Sequence, residues 1–357
     1  MRRSVAWLAP LAVGALLAVS ACVPSEAEGD ELVSNELQIT ELRVPGPAAE
    51  RPVVGEINRV GSASVPVRAY EPARGVEPWA TLVWSHGGSF VRGTLDWPEA
   101  DWVSRGFAAA GLRVLSVDYV LASETVKAPA LSNDVAAVLA WAGAEYPGPL
   151  VAGGASAGAQ LTVLAAVDQR RRTPARPAEA LLLEYPTLHR VQRADPQLAD
   201  AVAALPEARR FRADRIAEMY DFYLGAGSAG AGSAGSGAGS AGSGAGSAGA
   251  DSAGAGSAGS GADSSEPPPA VAGELPPETL ALLPPTIIVN ADADELRASG
   301  EEFAEQLAAA GVRVTATTEP GTVHGYLNRP EESAAARAQA AATIEHFVRE
   351  LRGLLGA

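Results

Sequence analysis

From Ala80 onward the chain alternates two patterns. Short runs of consecutive apolar residues (80–85, 113–117, 150–152, 178–184, 286–289 and 312–317) suit strands buried on both faces. Between them, apolar positions recur every three or four residues over Pro98–Ala110, Leu131–Tyr146, Ala157–Arg171, Arg297–Gly311 and Glu332–Leu355, which suits helices. The alternation predicts an α/β fold with a mostly parallel central sheet and helices on both faces. Two earlier segments, Glu36–Leu42 and Ser64–Tyr70, alternate polar and apolar at period two and read as edge strands. Residues 197–224 carry helical patterns outside this rhythm and read as a small cap over the site.

The domain is expected to span 37–357, and the two extremes of the apolar scale take no part in its core. Arg2 and Arg3 precede Val5–Val19, a run apolar except for Pro10 and Gly14, and small residues then lead to Cys22. Residues 1–21 are therefore expected to be a targeting segment with no part in the fold. The junction Val19-Ser20-Ala21-Cys22 is similar to a bacterial lipobox. That resemblance implies cleavage before Cys22, lipidation of its thiol and attachment to the outer face of the cell membrane. An ordinary signal peptide with a chance cysteine, or an uncleaved anchor helix, would leave the same residues. Cys22 is the one cysteine of 357 residues, so no intrachain disulfide is possible. Residues 22–36 read as an acidic spacer, and 225–265 are Gly, Ala and Ser broken by Asp251 and Asp263. Such an insert has nothing to bury and is expected to be a disordered loop.

The formal net charge is −15, and losing Arg2 and Arg3 would deepen it. Nucleic acid and anionic membrane surfaces are disfavoured as partners, so membrane attachment is expected to come from the lipid.

Candidate chemistry begins at Gly154-Ala155-Ser156-Ala157-Gly158, set between an apolar run and a helical stretch. Glycines flanking a serine at a strand-to-helix turn describe a nucleophile elbow, which exposes the hydroxyl beside the free amides of a helix N-terminus. Upstream, His86-Gly87-Gly88-Ser89-Phe90 follows a buried strand, and paired glycines there let amides face a substrate. Downstream, Asp292 and Asp294 follow one strand and His324 follows another. The order oxyanion loop, Ser, Asp, His is the chain order of α/β-hydrolases. Ser156 is the candidate nucleophile and His324 the candidate base, with the amides of Gly87, Gly88 and Ala157 as oxyanion donors. His189 is placed where it could line the pocket, His346 reads as structural, and Asp118 reads as an acid that fixes backbone beneath the site.

These stretches resemble the hormone-sensitive-lipase-like branch of the α/β-hydrolases, which carries H-G-G-G-F, D-Y-R-L-A-P-E, G-D-S-A-G, D-x-L-R and H-G-F. The matching residues are His86–Phe90, Asp118–Glu124, Gly154–Gly158, Asp294–Arg297 and His324–Tyr326. Ser89, Val120, Ser123 and Ala155 depart from that pattern without removing a member of the triad. The resemblance implies an α/β-hydrolase fold with a small helical cap, and gives Asp294 rather than Asp292 the task of orienting His324. It also implies a serine carboxylesterase acting on short- to medium-chain esters through an acyl-enzyme, with no metal or organic cofactor. An amidase or peptidase using the same triad, or a lipoprotein that kept the fold as a binding module, remains open.

Overall fold

The computed structural model describes residues 37–48, 56–172, 176–225 and 270–357. The targeting segment, Cys22, the acidic spacer and nearly all of the Gly/Ala/Ser insert lie outside the described residues.

Eight strands form one sheet: β1 Gln38–Pro45, β2 Ser64–Glu71, β3 Thr81–Ser85, β4 Arg113–Val117, β5 Leu150–Ala155, β6 Ala180–Glu184, β7 Thr286–Ala293 and β8 Val314–Val323. They lie in the order β1-β2-β4-β3-β5-β6-β7-β8. The pairs β1–β2 and β2–β4 are antiparallel, and every other pair is parallel. β2 is thus an interior strand and not the edge its alternation suggested. Alternation reports that one face is buried and the other partly wet, as β2 shows, and says nothing about whether both flanks are paired.

The helices are α1 Asp101–Ala109, α2 Ala130–Glu145, α3 Ala157–Arg172, α4 Pro196–Ala203, α5 Ala213–Leu224, α6 Pro277–Leu280, α7 Arg297–Ala309 and α8 Ala334–Leu355. Successive strand residues feed two separate cores. Leu82 and Trp84 pack with Phe107 of α1 and Phe347 of α8, while Val83 between them packs with Leu139 of α2, Leu164 of α3 and Phe303 of α7. This two-sided burial explains why the central strands read as continuous apolar runs. α1 starts later than its periodicity suggests. The backbone of Glu99 is engaged elsewhere, its amide donating to Asn328 Oδ1 at 3.1 Å and its carbonyl accepting the Trp84 indole N–H at 2.8 Å. α8 begins beside Ser333, whose hydroxyl accepts the Ala336 amide as an N-cap.

Residues 197–224 hold most of α4, a 3₁₀ turn at Glu207–Arg209 and α5. α5 is tied to the body through Tyr220, whose hydroxyl donates to the Thr187 carbonyl at 2.9 Å, and through Arg59 and Lys127, which donate to carbonyls at its C-terminal end. Buried Asp134 accepts from the amide and hydroxyl of Ser62 and the amide of Val120, fixing the loop after β4. The backbone-fixing task expected of Asp118 is carried out there by Asp134.

Candidate active site

Four loops leave the carboxyl ends of parallel strands side by side, where ligands of open α/β sheets bind. His86 follows β3, Ser156 follows β5, Asp294 follows β7 and His324 follows β8, each on the first residue past its strand.

The turn at Ser156 is sharp because β5 passes directly into α3, which puts the serine at φ 52°, in the left-handed region. A Cβ on Gly154 would lie 2.6 Å from the Gly158 carbonyl carbon, and one on Gly158 would lie 2.1 Å from the Ser85 carbonyl oxygen. Both glycines are therefore demanded by backbone that passes too close for any side chain. The strained serine backbone persists because its amide donates to Glu184 and its carbonyl accepts from Ala159.

The structure brings Ser156, His324 and Asp294 together. Ser156 Oγ lies 2.9 Å from His324 Nε2, and His324 Nδ1 lies 2.7 Å from Asp294 Oδ2. All three are at least nine-tenths buried. The second oxygen of Asp294 accepts the Leu296 amide at 3.0 Å, which fixes the carboxylate's rotation. Asp292 is turned away from His324. Its carboxylate takes the Gly321 amide and pairs with Arg297, so it clamps the β7 and β8 loops together. An alcohol, an imidazole and a buried carboxylate in this sequence can pass the hydroxyl proton to Nε2 while the carboxylate stabilises the resulting imidazolium.

The loop after β3 holds Gly88, Ser89 and Phe90 in succession at φ 119°, 56° and 67°. Gly88 is obligatory, since a Cβ there would lie 1.9 Å from the Arg92 carbonyl oxygen. Phe90 anchors the loop by stacking on Tyr223 of α5, ring centroids 4.1 Å apart. One expected donor is removed by the structure: the Gly87 amide is bound to Glu99 Oε2 at 2.5 Å and is not free for an oxyanion. The Gly88 and Ala157 amides have no acceptor among the described residues, and Ser89, which lines the cavity beside Gly88, adds a third such amide.

Glu99 is the main residue that sequence reasoning misses. It is buried, and its other oxygen accepts the Tyr185 hydroxyl at 2.5 Å. Tyr185 in turn packs against His324, centroids 4.8 Å apart, so one carboxylate braces both the oxyanion loop and the imidazole. Burial, then the nearby carboxylates Glu99 and Glu184, hold the Tyr185 hydroxyl well above its usual range and keep it a donor. From the cap segment, Phe211 also packs on His324, with ring centroids 4.4 Å apart. Glu295, next to Asp294, holds this segment by accepting the Phe211 amide and pairing with Arg210. No local pattern marks these residues; only the fold brings them to the site.

Of the other histidines, His86 is buried and stacks on Tyr119, with burial lowering its pKa. His189 is bound to Ser299 and is absent from the cavity lining, and His346 sits on α8 beside Arg349. The cavity over Ser156 and His324 has a volume of about 360 Å³ and is walled by Trp97, Phe211 and polar residues of the cap segment and of the loops after β3, β5 and β8. Among the described residues no group of His, Cys, Asp and Glu is placed to hold a metal ion.

Comparison with known proteins bears on the fold and the family. A family described as alpha/beta hydrolase fold matches residues 82–233 and 251–328. Carboxylesterase NlhH of Mycobacterium tuberculosis is 30% identical over 276 residues, 75% of this chain and 73% of that protein. Carboxylic ester hydrolase LipN of the same species is 36% identical over 148 residues, which is 39% of this chain and 34% of LipN. Among solved structures, a bacterial heroin esterase superposes with a TM-score of 0.63 at 25% identity, covering 91% of this chain and 87% of its own.

Proposed function

The chain belongs to the alpha/beta hydrolase fold family, in its hormone-sensitive-lipase-like branch, and from that membership we propose that it is a serine carboxylesterase. The observation that carries the reading is the hydrogen-bonded chain from Ser156 through His324 to Asp294 at the strand ends.

Ser156 Oγ attacks the ester carbonyl carbon as His324 Nε2 takes the hydroxyl proton. The carbonyl oxygen becomes an oxyanion and is met by the amides of Gly88, Ser89 and Ala157, each such donor being worth about 3 kcal/mol in the transition state. His324 then gives its proton to the departing alkoxide, leaving an acyl-enzyme. Water enters, loses a proton to Nε2 and attacks the acyl carbon, and collapse returns Ser156 and releases the acid. Asp294 keeps Nδ1 protonated throughout, so whenever the ring is neutral its lone pair is on Nε2. A cavity of about 360 Å³ lies at the small end of ligand pockets, roughly 300–1,000 Å³, and supports short- to medium-chain esters.

The N-terminal residues support a second element of the reading: Cys22 carries a lipid that holds the domain at the outer face of the cell membrane. Fractionation of cells making Cys22→Ala tests it, with release from the membrane or an uncut precursor expected, and an unmodified wild-type cysteine contradicting it. For the activity itself, p-nitrophenyl esters of graded acyl length and matching anilides separate esterase from amidase. Turnover of short esters that is absent in Ser156→Ala supports the proposal, and preference for anilides overturns it.

A further inference from the structure

The chain carries a net charge of −15, yet the cavity over Ser156 is lined by three arginines, Arg92, Arg209 and Arg329, from three different loops. The single acid in that lining is Glu99, and both of its oxygens are already engaged by Gly87 and Tyr185. Counter-charge at the rim is equally short. Arg209 and Arg329 share one carboxylate, Glu332, at 3.2 and 3.6 Å. The neighbouring Glu331 is taken by Arg337, and Arg92 has no ion pair among the described residues.

Arg329 is the most telling of the three. Its Nη1 is buried and has no hydrogen-bond partner among the described residues. A desolvated guanidinium N–H without an acceptor is costly, and the exposed part of the same guanidinium lines the cavity, where an anion would offset its charge. Burial, and then the like charge of Arg209, pull the Arg329 pKa below its ordinary value, as expected for two guanidiniums with too little counter-charge between them. Guanidiniums match carboxylates in a two-pronged geometry and hold them with charge-assisted hydrogen bonds.

Resting on the esterase reading above, we propose that this site selects esters that carry a second, anionic group, in the simplest case a carboxylate, which Arg329 and Arg209 bind while Ser156 attacks the ester carbonyl. Arg92 adds positive potential from the oxyanion loop. Neutral esters of the same length fit the cavity but leave the two guanidiniums with one carboxylate between them.

The test compares kcat/KM for mono-p-nitrophenyl adipate with that for p-nitrophenyl hexanoate, and for 4-butyryloxybenzoate with that for phenyl butyrate. The first pair places the carboxylate on the acyl side and the second on the alcohol side. The wild type is expected to favour the carboxylate ester of at least one pair by about tenfold, mainly through KM, and to lose that preference as salt is raised. Arg329→Gln and Arg209→Gln are each expected to reduce the ratio about tenfold, with Arg329→Lys intermediate because charge is kept and the fork lost. Arg172→Gln, at the far end of α3 from Ser156 and paired there with Asp168, leaves the ratio unchanged. Circular dichroism confirms folding, and should one variant fail to fold, the other two decide.

Equal or better turnover of the neutral ester in both pairs, or a ratio untouched by these variants, overturns the proposal while the esterase reading stands on the neutral substrate. Should no ester be turned over, calorimetry with adipic acid monoanilide decides the anion site by itself. Binding by wild type that Arg329→Gln abolishes supports it, and no difference between the two overturns it.

Discussion

The floor and the rim of the cavity are built in opposite ways. On the floor, Ser156, Asp294 and His324 each sit one residue beyond a parallel strand, are at least nine-tenths buried, and are hydrogen-bonded to one another. On the rim, Arg209 and Arg329 follow or end short 3₁₀ turns, are about a third exposed, and divide one carboxylate between them. A sheet buried on both faces can hold atoms to within tenths of an ångström, and the reaction needs that. Loops carry fewer constraints and can change charge without disturbing the core. On the proposed reading, the strand ends carry the chemistry and the loops the choice of substrate.

The largest expected effect tests whether two acids two residues apart really belong to different regions. Asp294→Asn should lower kcat by about 10⁴, because an amide at that position favours the wrong imidazole tautomer, as in the serine-protease triad from which that figure comes. Asp292→Asn should cost no more than about tenfold in kcat/KM, since it loosens a loop clamp and touches no reacting atom. Steady-state kinetics on one neutral ester decides, and the reverse ranking would move the acid to Asp292.

Next in size, Glu99→Gln sharpens the boundary of the floor. An amide keeps one acceptor: with its oxygen on the Gly87 N–H, its NH₂ group can only donate to the Tyr185 oxygen, which reverses that bond and leaves the Tyr185 proton without its acceptor. The hold on the loop that presents Gly88 and on the ring that braces His324 is weakened together. A fall in kcat of about a hundredfold with a smaller change in KM is expected, in line with a loss near that of one oxyanion donor. A change confined to KM would make Glu99 part of the rim.

The smallest effect concerns stability. Glu184, beneath the elbow, is fully buried with neither carboxyl oxygen hydrogen-bonded among the described residues. Burial raises its pKa well above the ordinary value, opposed by the nearby Tyr326 hydroxyl and reinforced by Glu99, Glu319 and Asp294. The unfolded chain therefore releases this proton first. Below about pH 4.3 the group costs nothing by linkage, and stability falls as pH rises from there through the folded pKa. Glu184→Gln, which cannot ionise, should gain in urea stability relative to wild type as pH rises above the ordinary carboxylate range. A difference that is flat with pH would contradict this.

The same contrast governs what the sequence made legible. Core strands declared themselves as apolar runs because both faces are buried, and Ser156 and His324 because sharp turns past strands leave glycines beside them. Boundaries drifted where a distant partner set them, as when the Glu99 backbone met Trp84 and Asn328 and delayed α1. Gly87 was misread as an oxyanion donor for a related reason. A glycine announces a bare amide, but not that a carboxylate twelve residues on will occupy it. Phe211, Arg209 and Arg329 carried no local signal, since their closeness to Ser156 exists only after the sheet has assembled.

The central claim is that Ser156 is a nucleophile activated by His324. Reaction with a fluorophosphonate, followed by peptide mass spectrometry, tests it most directly, since the reagent forms a stable adduct only with an activated hydroxyl. The wild type should carry one adduct, on Ser156, and His324→Ala should label at least about a hundredfold more slowly, the lower range for loss of a positioned base. No adduct on the wild type, an adduct on another residue, or undiminished labelling of Ser156 without His324 would contradict the account.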